Sequence, residues 1–136
     1  MKREVILRWL IKGESDLKSA KILLDAADVL TDIVCFHSQQ AVEKYLKAFL
    51  TDKDVRFEKI HDLRTLLELC IREDRDFEKL DKERISKLSF YAVDLRYPDE
   101  FYIPSIEEAR NALNIAAELK EFILKKLKVS EKELQR

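Results

Sequence analysis

Glycine is almost absent: the chain of 136 residues has one, together with two prolines. So few chain-breakers favour long helices joined by short loops, and a lone glycine excludes a glycine-rich loop that cradles phosphates. An excess of charge is missing as well. The 26 basic residues stand against 27 acidic ones, a net charge of −1 at pH 7. That balance excludes indiscriminate binding to DNA, which needs a net basic face, and leaves room for a local basic site. Cysteine is scarce and unpatterned. Cys35 and Cys70 sit far apart inside helical patterns, without CxxC or CxxH spacing. They suit reduced core positions of a cytoplasmic protein rather than metal ligands. A long oily run is lacking too. The opening MKREVILRWLIKGESD has its apolar run broken by Arg8 and Lys12, so it makes neither a signal-peptide core nor a membrane span. No metal, cofactor, membrane or DNA partner is expected.

What is present is 46% hydrophobic and 39% charged residues, enough apolar material for one domain with its own core. Val5, Ile6, Trp9, Leu10, Leu17, Ala20, Leu23, Leu24 and Ala27 share one face of a helix expected over residues 3–28. Leu7, Ile11 and Ile22 form a thinner ridge opposite, and Gly13 costs that helix about 1 kcal/mol. A second helix starts after Thr31 or Asp32, either of which can cap it, and runs to about residue 51. Asp62 is a cap for a third, through about residue 73, and Asp81 for a fourth, ending near residue 95. The fifth start is the best marked. Ser105-Ile-Glu-Glu108 after Pro104 has the form of a capping box. The apolar residues of this last helix cover more than half its circumference, which suggests burial against several neighbours or across a homodimer. The fold class is therefore all-α, an up-and-down helical bundle of four main helices plus a shorter one. The bundle domain is expected over residues 1–128. The charged end from Lys125 is expected to fray, with residues 129–136 as a tail.

Two stretches stand out. CFHSQQAVEKYLKAFL, residues 35–50, puts His37, Gln40, Lys44 and Lys47 within roughly 80° of one another on a helix, with Gln39 and Glu43 beside them. From spacing alone this is a solvated helix face. Phe36 near the polar arc and the paired glutamines, good hydrogen-bonding groups, point the other way. DLRYPDEFYIP, residues 94–104, is too rich in aromatics for a simple linker, and Pro98 pushes Tyr97 into an extended form.

Together with IHDLRTLLELC and SIEEARNALNIAAEL, in this order and spacing, those strings resemble the HEPN domain family over roughly residues 3–127. The family is named for its occurrence in higher eukaryotes and prokaryotes and for proposed nucleotide binding. The resemblance implies a helical bundle that usually dimerises and often works beside a small nucleotidyltransferase, in pairs of toxin–antitoxin type. It also implies places for Gln39, Gln40, Glu43, Lys44 and Lys47, for His61 and Asp62, and for Arg96, Tyr97, Pro98 and Asp99.

Many members of that superfamily are metal-independent ribonucleases carrying an Arg, then a polar residue, then a His after a gap of four to six residues. A histidine can take the proton of a 2′-hydroxyl while an arginine holds the phosphate. Arg56-FEKI-His61 has the spacing but lies before the third helix, where the motif does not belong. Arg96-YPDEF-Tyr102 is near the right place but ends in a phenol, a poor base at neutral pH. No catalytic residue is therefore assigned. The expected ligand-binding set, for a nucleotide or phosphate, is Gln40, Lys44, Lys47, His61, Arg96 and Tyr97. Lys44 or Lys47 should share one cleft with Arg96, because a phosphate needs convergent cations. Two alternatives stay open: His61 can pin its loop by a hydrogen bond, and Arg96 can pair with Asp94 or Asp99. The reading is a cytoplasmic, homodimeric, nucleotide- or RNA-binding partner of a nucleotidyltransferase. Its rivals are a ribonuclease toxin and a non-catalytic interaction module.

Overall fold

The computed structural model describes residues 1–93 and 102–135. Among them the chain is all-α. Its elements are α1 (Lys2–Leu24), α2 (Thr31–Asp52), α3 (Leu63–Glu73), α4 (Lys82–Lys87), α5 (Phe90–Val93) and α6 (Ile106–Leu127), with short 3-10 turns at Arg75–Lys79 and Glu131–Leu134. The helices α1 and α2 form an antiparallel hairpin, and α6 runs beside α2 in the same direction. Glu108 of α6 lies by Cys35 at one end, and Phe122 meets Phe49 through the ring of Phe77 at the other. Tyr45, Phe49, Phe77, Leu10, Leu17, Leu66 and Leu119 are among the fully buried side chains of the core.

The one glycine sits where two helices nearly touch. A Cβ on Gly13 would stand 2.7 Å from Cε1 of Tyr45, far inside van der Waals contact. The missing side chain lets the Tyr45 ring approach α1 closely, so the propensity cost of this glycine is offset by close packing.

Local boundaries depart from the expected ones for identifiable reasons. The first helix stops at Leu24, four residues early, because Asp25 and Asp28 would place negative charge at the negative end of its dipole. Neither Thr31 nor Asp32 caps α2. The cap position is Leu30, without a side-chain bond, and Asp32 lies in the first turn, where its charge suits the dipole. Asp62 and Asp81 cap α3 and α4 as expected, accepting from the amides of Thr65 and Arg84. The expected fourth helix breaks into α4 and α5, because the Ser89 hydroxyl accepts from the Leu63 amide at 2.9 Å and anchors the break to the start of α3. Ser105 caps α6, accepting from the Glu108 amide at 3.0 Å. Glu108 does not complete the box. Its two carboxylate oxygens instead accept from the hydroxyls of Tyr91 and Tyr102.

Residues 128–135 do not fray. Lys128 takes a left-handed conformation, with φ 56°, and the Val129 amide bonds back to Leu124 at 3.0 Å, a Schellman closure. Ser130 and Glu133 then form a capping box, Val129 and Leu134 are buried, and Lys120 bridges Glu14 at 2.7 Å and Glu131 at 3.0 Å. The broad apolar face of α6 is largely covered within the chain. Phe122 packs edge-on to Phe77, and Ile11 packs against the core as well, both remaining partly exposed. Exposed large apolar side chains gather at the other end of the bundle, among them Ile22, Leu30, Ile33, Phe90, Ile103 and Ile106. Among the described residues no helix is long and apolar enough to cross a membrane.

Candidate functional site

The polar stripe of α2 is not a solvated face. It lies against α1 and the loop before α3, and its groups sort into two clusters. In the first, Asp16 of α1 accepts from the ammonium of Lys44 at one oxygen, while its other oxygen lies 2.8 Å from Nδ1 of His37. In the second, Gln40 donates to Gln39 at 2.7 Å, Gln39 donates to Glu43 at 3.1 Å, and Lys47 donates to Glu43 at 2.8 Å. The paired glutamines are thus the first links of a hydrogen-bonded chain, and Gln39 is fully buried.

His61 closes the second cluster from the loop. Its Nδ1 lies 2.9 Å from Glu43 Oε2 and 3.1 Å from Lys47 Nζ. One nitrogen cannot serve both ways at once. Protonated, it donates to Glu43; bare, it accepts from Lys47. Either state pins the loop, and Asp62 next to it caps α3 with the Thr65 amide at 3.1 Å. Burial alone would raise the Glu43 pKa, but the bonds from Lys47 and His61 outweigh it and hold this carboxyl below its ordinary value.

The burial of the two clusters has a direction. The carboxylates lie beneath, with the Asp16 and Glu43 side chains each 12% exposed, whereas Lys44 is 24%, His37 28% and His61 68% exposed. Lys47 departs from this order. Only 6% of its side chain is exposed, and its ammonium sits 5.6 Å from the ring centres of both Trp9 and Phe57, which pack edge-on at 5.8 Å. It supports Glu43 and His61 from below rather than facing outward. The structure therefore brings Lys47 and His61 together around Glu43, holds Lys44 on Asp16, and leaves Gln40 half-buried on Gln39. Arg96 and Tyr97, with Pro98 and Asp99, lie outside the described residues, and so does the cleft expected between Arg96 and the lysines.

The residue that sequence reasoning missed is Asp16. Both Glu14 and Asp16 are buried on the face of α1 that packs against the bundle. Asp16 stands three residues after Gly13 and four before Ala20, so an acid on the apolar stripe was the visible signal. With Asp16 accepting at Nδ1, a neutral His37 keeps its proton there and presents Nε2 as the acceptor, the orientation a general base uses. Among the described residues no three His, Cys, Asp or Glu groups converge as metal ligands would. Tyr102, the phenol in place of a motif histidine, bonds to Glu108, which raises its pKa further from neutrality.

Compared with known proteins, the chain matches the family model described as HEPN domain over residues 6–127. No curated protein matches it, and no solved structure does.

Proposed function

The chain belongs to the HEPN domain family, and on that premise we propose that it binds the phosphate of a nucleotide or RNA on the outward edge of α2. The observation that carries the reading is the order of burial: the two acids lie underneath and the donors of Lys44, His37 and His61 lie above them. An ammonium has three donors, and Asp16 takes one on Lys44. The other two can meet phosphate oxygens, while the buried carboxylate fixes the lysine in place and lowers the ordering cost of binding. Gln40 and His61 flank the phosphate, Lys47 holds the floor, and Arg96 and Tyr97 add a guanidinium and a ring for base stacking. We further propose a homodimer, a cytoplasmic location and a nucleotidyltransferase partner, in a pair of toxin–antitoxin type. What supports association is the exposed apolar end of the bundle. The partner rests on the family.

Calorimetry with ATP and with a short single-stranded RNA tests the reading. Lys44→Gln should weaken binding by about 1–3 kcal/mol. Undiminished binding would remove α2 from the site, and no binding to wild type would leave the non-catalytic interaction module. A second reading, metal-independent RNA cleavage, is favoured by one feature: His37 oriented by Asp16 at 2.8 Å. Cleavage lost in both His37→Ala and Asp16→Asn would support it. Intact RNA with wild-type protein would end it.

A further inference from the structure

The α2 clusters neutralise their own cations, Lys44 with Asp16 and Lys47 with Glu43. The opposite holds in the cleft between α4 and the first half of α6. There Arg84 and Lys87 stand one turn apart at the rim of a cavity of about 290 Å³. No carboxylate among the described residues pairs with either. The Arg84 guanidinium is instead held by a neutral group, donating to Oδ1 of Asn111 at 2.7 Å, and this aims it without a carboxylate partner among the described residues. The carboxylates nearby have other tasks. Glu108, on the cavity wall, accepts from Tyr91 and Tyr102. Glu83 is bridged by Arg64 at 2.8 Å and attracts Lys87 only at longer range, without a salt bridge, and Asp81 caps α4 through the Arg84 amide. Glu118 borders Arg84 from a separate, smaller depression. Below the cations the floor is apolar, made by the buried Leu88, Ala112 and Ile115.

We propose that this cleft is a second anion site, separate from the α2 edge, and that it takes a phosphomonoester carried on a small apolar or planar body. Two cations with no carboxylate in salt-bridge range among the described residues call for a ligand of charge near −2, which a phosphomonoester has at neutral pH and a carboxylate does not. The guanidinium fork suits phosphate oxygens, and the apolar floor accommodates the body attached to them. A cavity of this size holds a small molecule rather than a chain segment.

The test is an NMR titration of the full chain with phenyl phosphate, beside inorganic phosphate and phenylacetate as controls. Phenyl phosphate should shift the Leu88, Ala112 and Ile115 signals to saturation and bind more tightly than either control. Arg84→Gln and Lys87→Gln should each weaken it about tenfold, the loss of one charge-assisted bond. Both side chains are exposed, so the two variants should keep the fold, checked by their spectra. Lys44→Gln should leave this titration unchanged, so failure of the α2 reading and failure of this one are told apart. Three results would overturn the proposal: no saturable shift at these residues, wild-type affinity in both cleft variants, or inorganic phosphate or phenylacetate binding as tightly as phenyl phosphate.

Discussion

Gly13→Ala is the substitution whose sign the fold decides. In an isolated helix it would stabilise, because alanine is preferred over glycine by about 0.8–1 kcal/mol. Here the new methyl group would stand 2.7 Å from Cε1, 3.1 Å from Cδ1 and 3.2 Å from Cζ of Tyr45. That ring is fully buried, so it cannot swing into solvent, and relief requires α1 and α2 to move apart. Overpacking of this kind costs about 1–3 kcal/mol. The sum is a loss of about 0–2 kcal/mol where propensity alone predicts a gain. Urea unfolding followed by circular dichroism measures it, and the Tyr45→Leu background isolates the cause, since leucine lacks Cε1, the atom of closest approach, and Cζ. In that background Gly13→Ala should recover its propensity gain, so the two substitutions should couple by about 1 kcal/mol or more. If Gly13→Ala stabilises the wild-type chain by the full helix-propensity amount, the close approach is not what requires glycine here.

Three further outcomes follow from the geometry. Ser105→Ala should lower stability by about 0.5–2 kcal/mol through loss of its bond to the Glu108 amide, with nucleotide affinity unchanged; an unaltered unfolding midpoint would show that the cap is dispensable. Glu43 has a folded-state pKa below its ordinary value, set by burial that raises it and by Lys47 and His61 bonds that outweigh burial. Its stabilisation is therefore complete above the unfolded glutamate value of about 4.3 and is lost as pH falls through the folded value. The Tm gap between wild type and Glu43→Gln should be largest at neutral pH and shrink on acidification, and a gap independent of pH would contradict the assignment. Burial first, and then the Glu108 carboxylate, push the Cys35 thiol up to about 12, while burial and Glu73 raise Cys70. A thiol-reactive dye should label neither cysteine in the folded protein and both in urea; labelling of the native chain would mean that one of them opens to solvent.

The long helices were legible because apolar periodicity over about twenty residues is a strong local signal. The caps at Asp62, Asp81 and Ser105 were legible because a cap is a property of four adjacent residues. What escaped was tertiary. A helical wheel shows that His37, Gln40, Lys44 and Lys47 share an arc, but not that α1 brings Asp16 beneath two of them. The stripe therefore looked solvated when it is half-buried and paired. Gly13 looked like a tolerated fault until Tyr45 was seen against it. Glu108 fitted a capping box in sequence, yet two tyrosines claim its carboxylate, and no local pattern reports that competition. The C-terminal segment was misjudged for the same reason: Lys, Glu and Gln dominate its composition, while its order comes from Val129, Leu134 and ion pairs to Arg3 and Lys120.

The central claim is that the outward edge of α2 holds a phosphate-bearing ligand. Its most direct test is amide chemical-shift mapping of the full chain against a single-stranded oligoribonucleotide with hydroxyls at both ends, which offers phosphodiesters but no phosphomonoester. The largest shifts should centre on residues 37–44 and His61, fade with rising salt as phosphate contacts do, and collapse in Lys44→Gln. Saturable binding whose shifts leave α2 untouched, or no binding at low salt, would contradict the account.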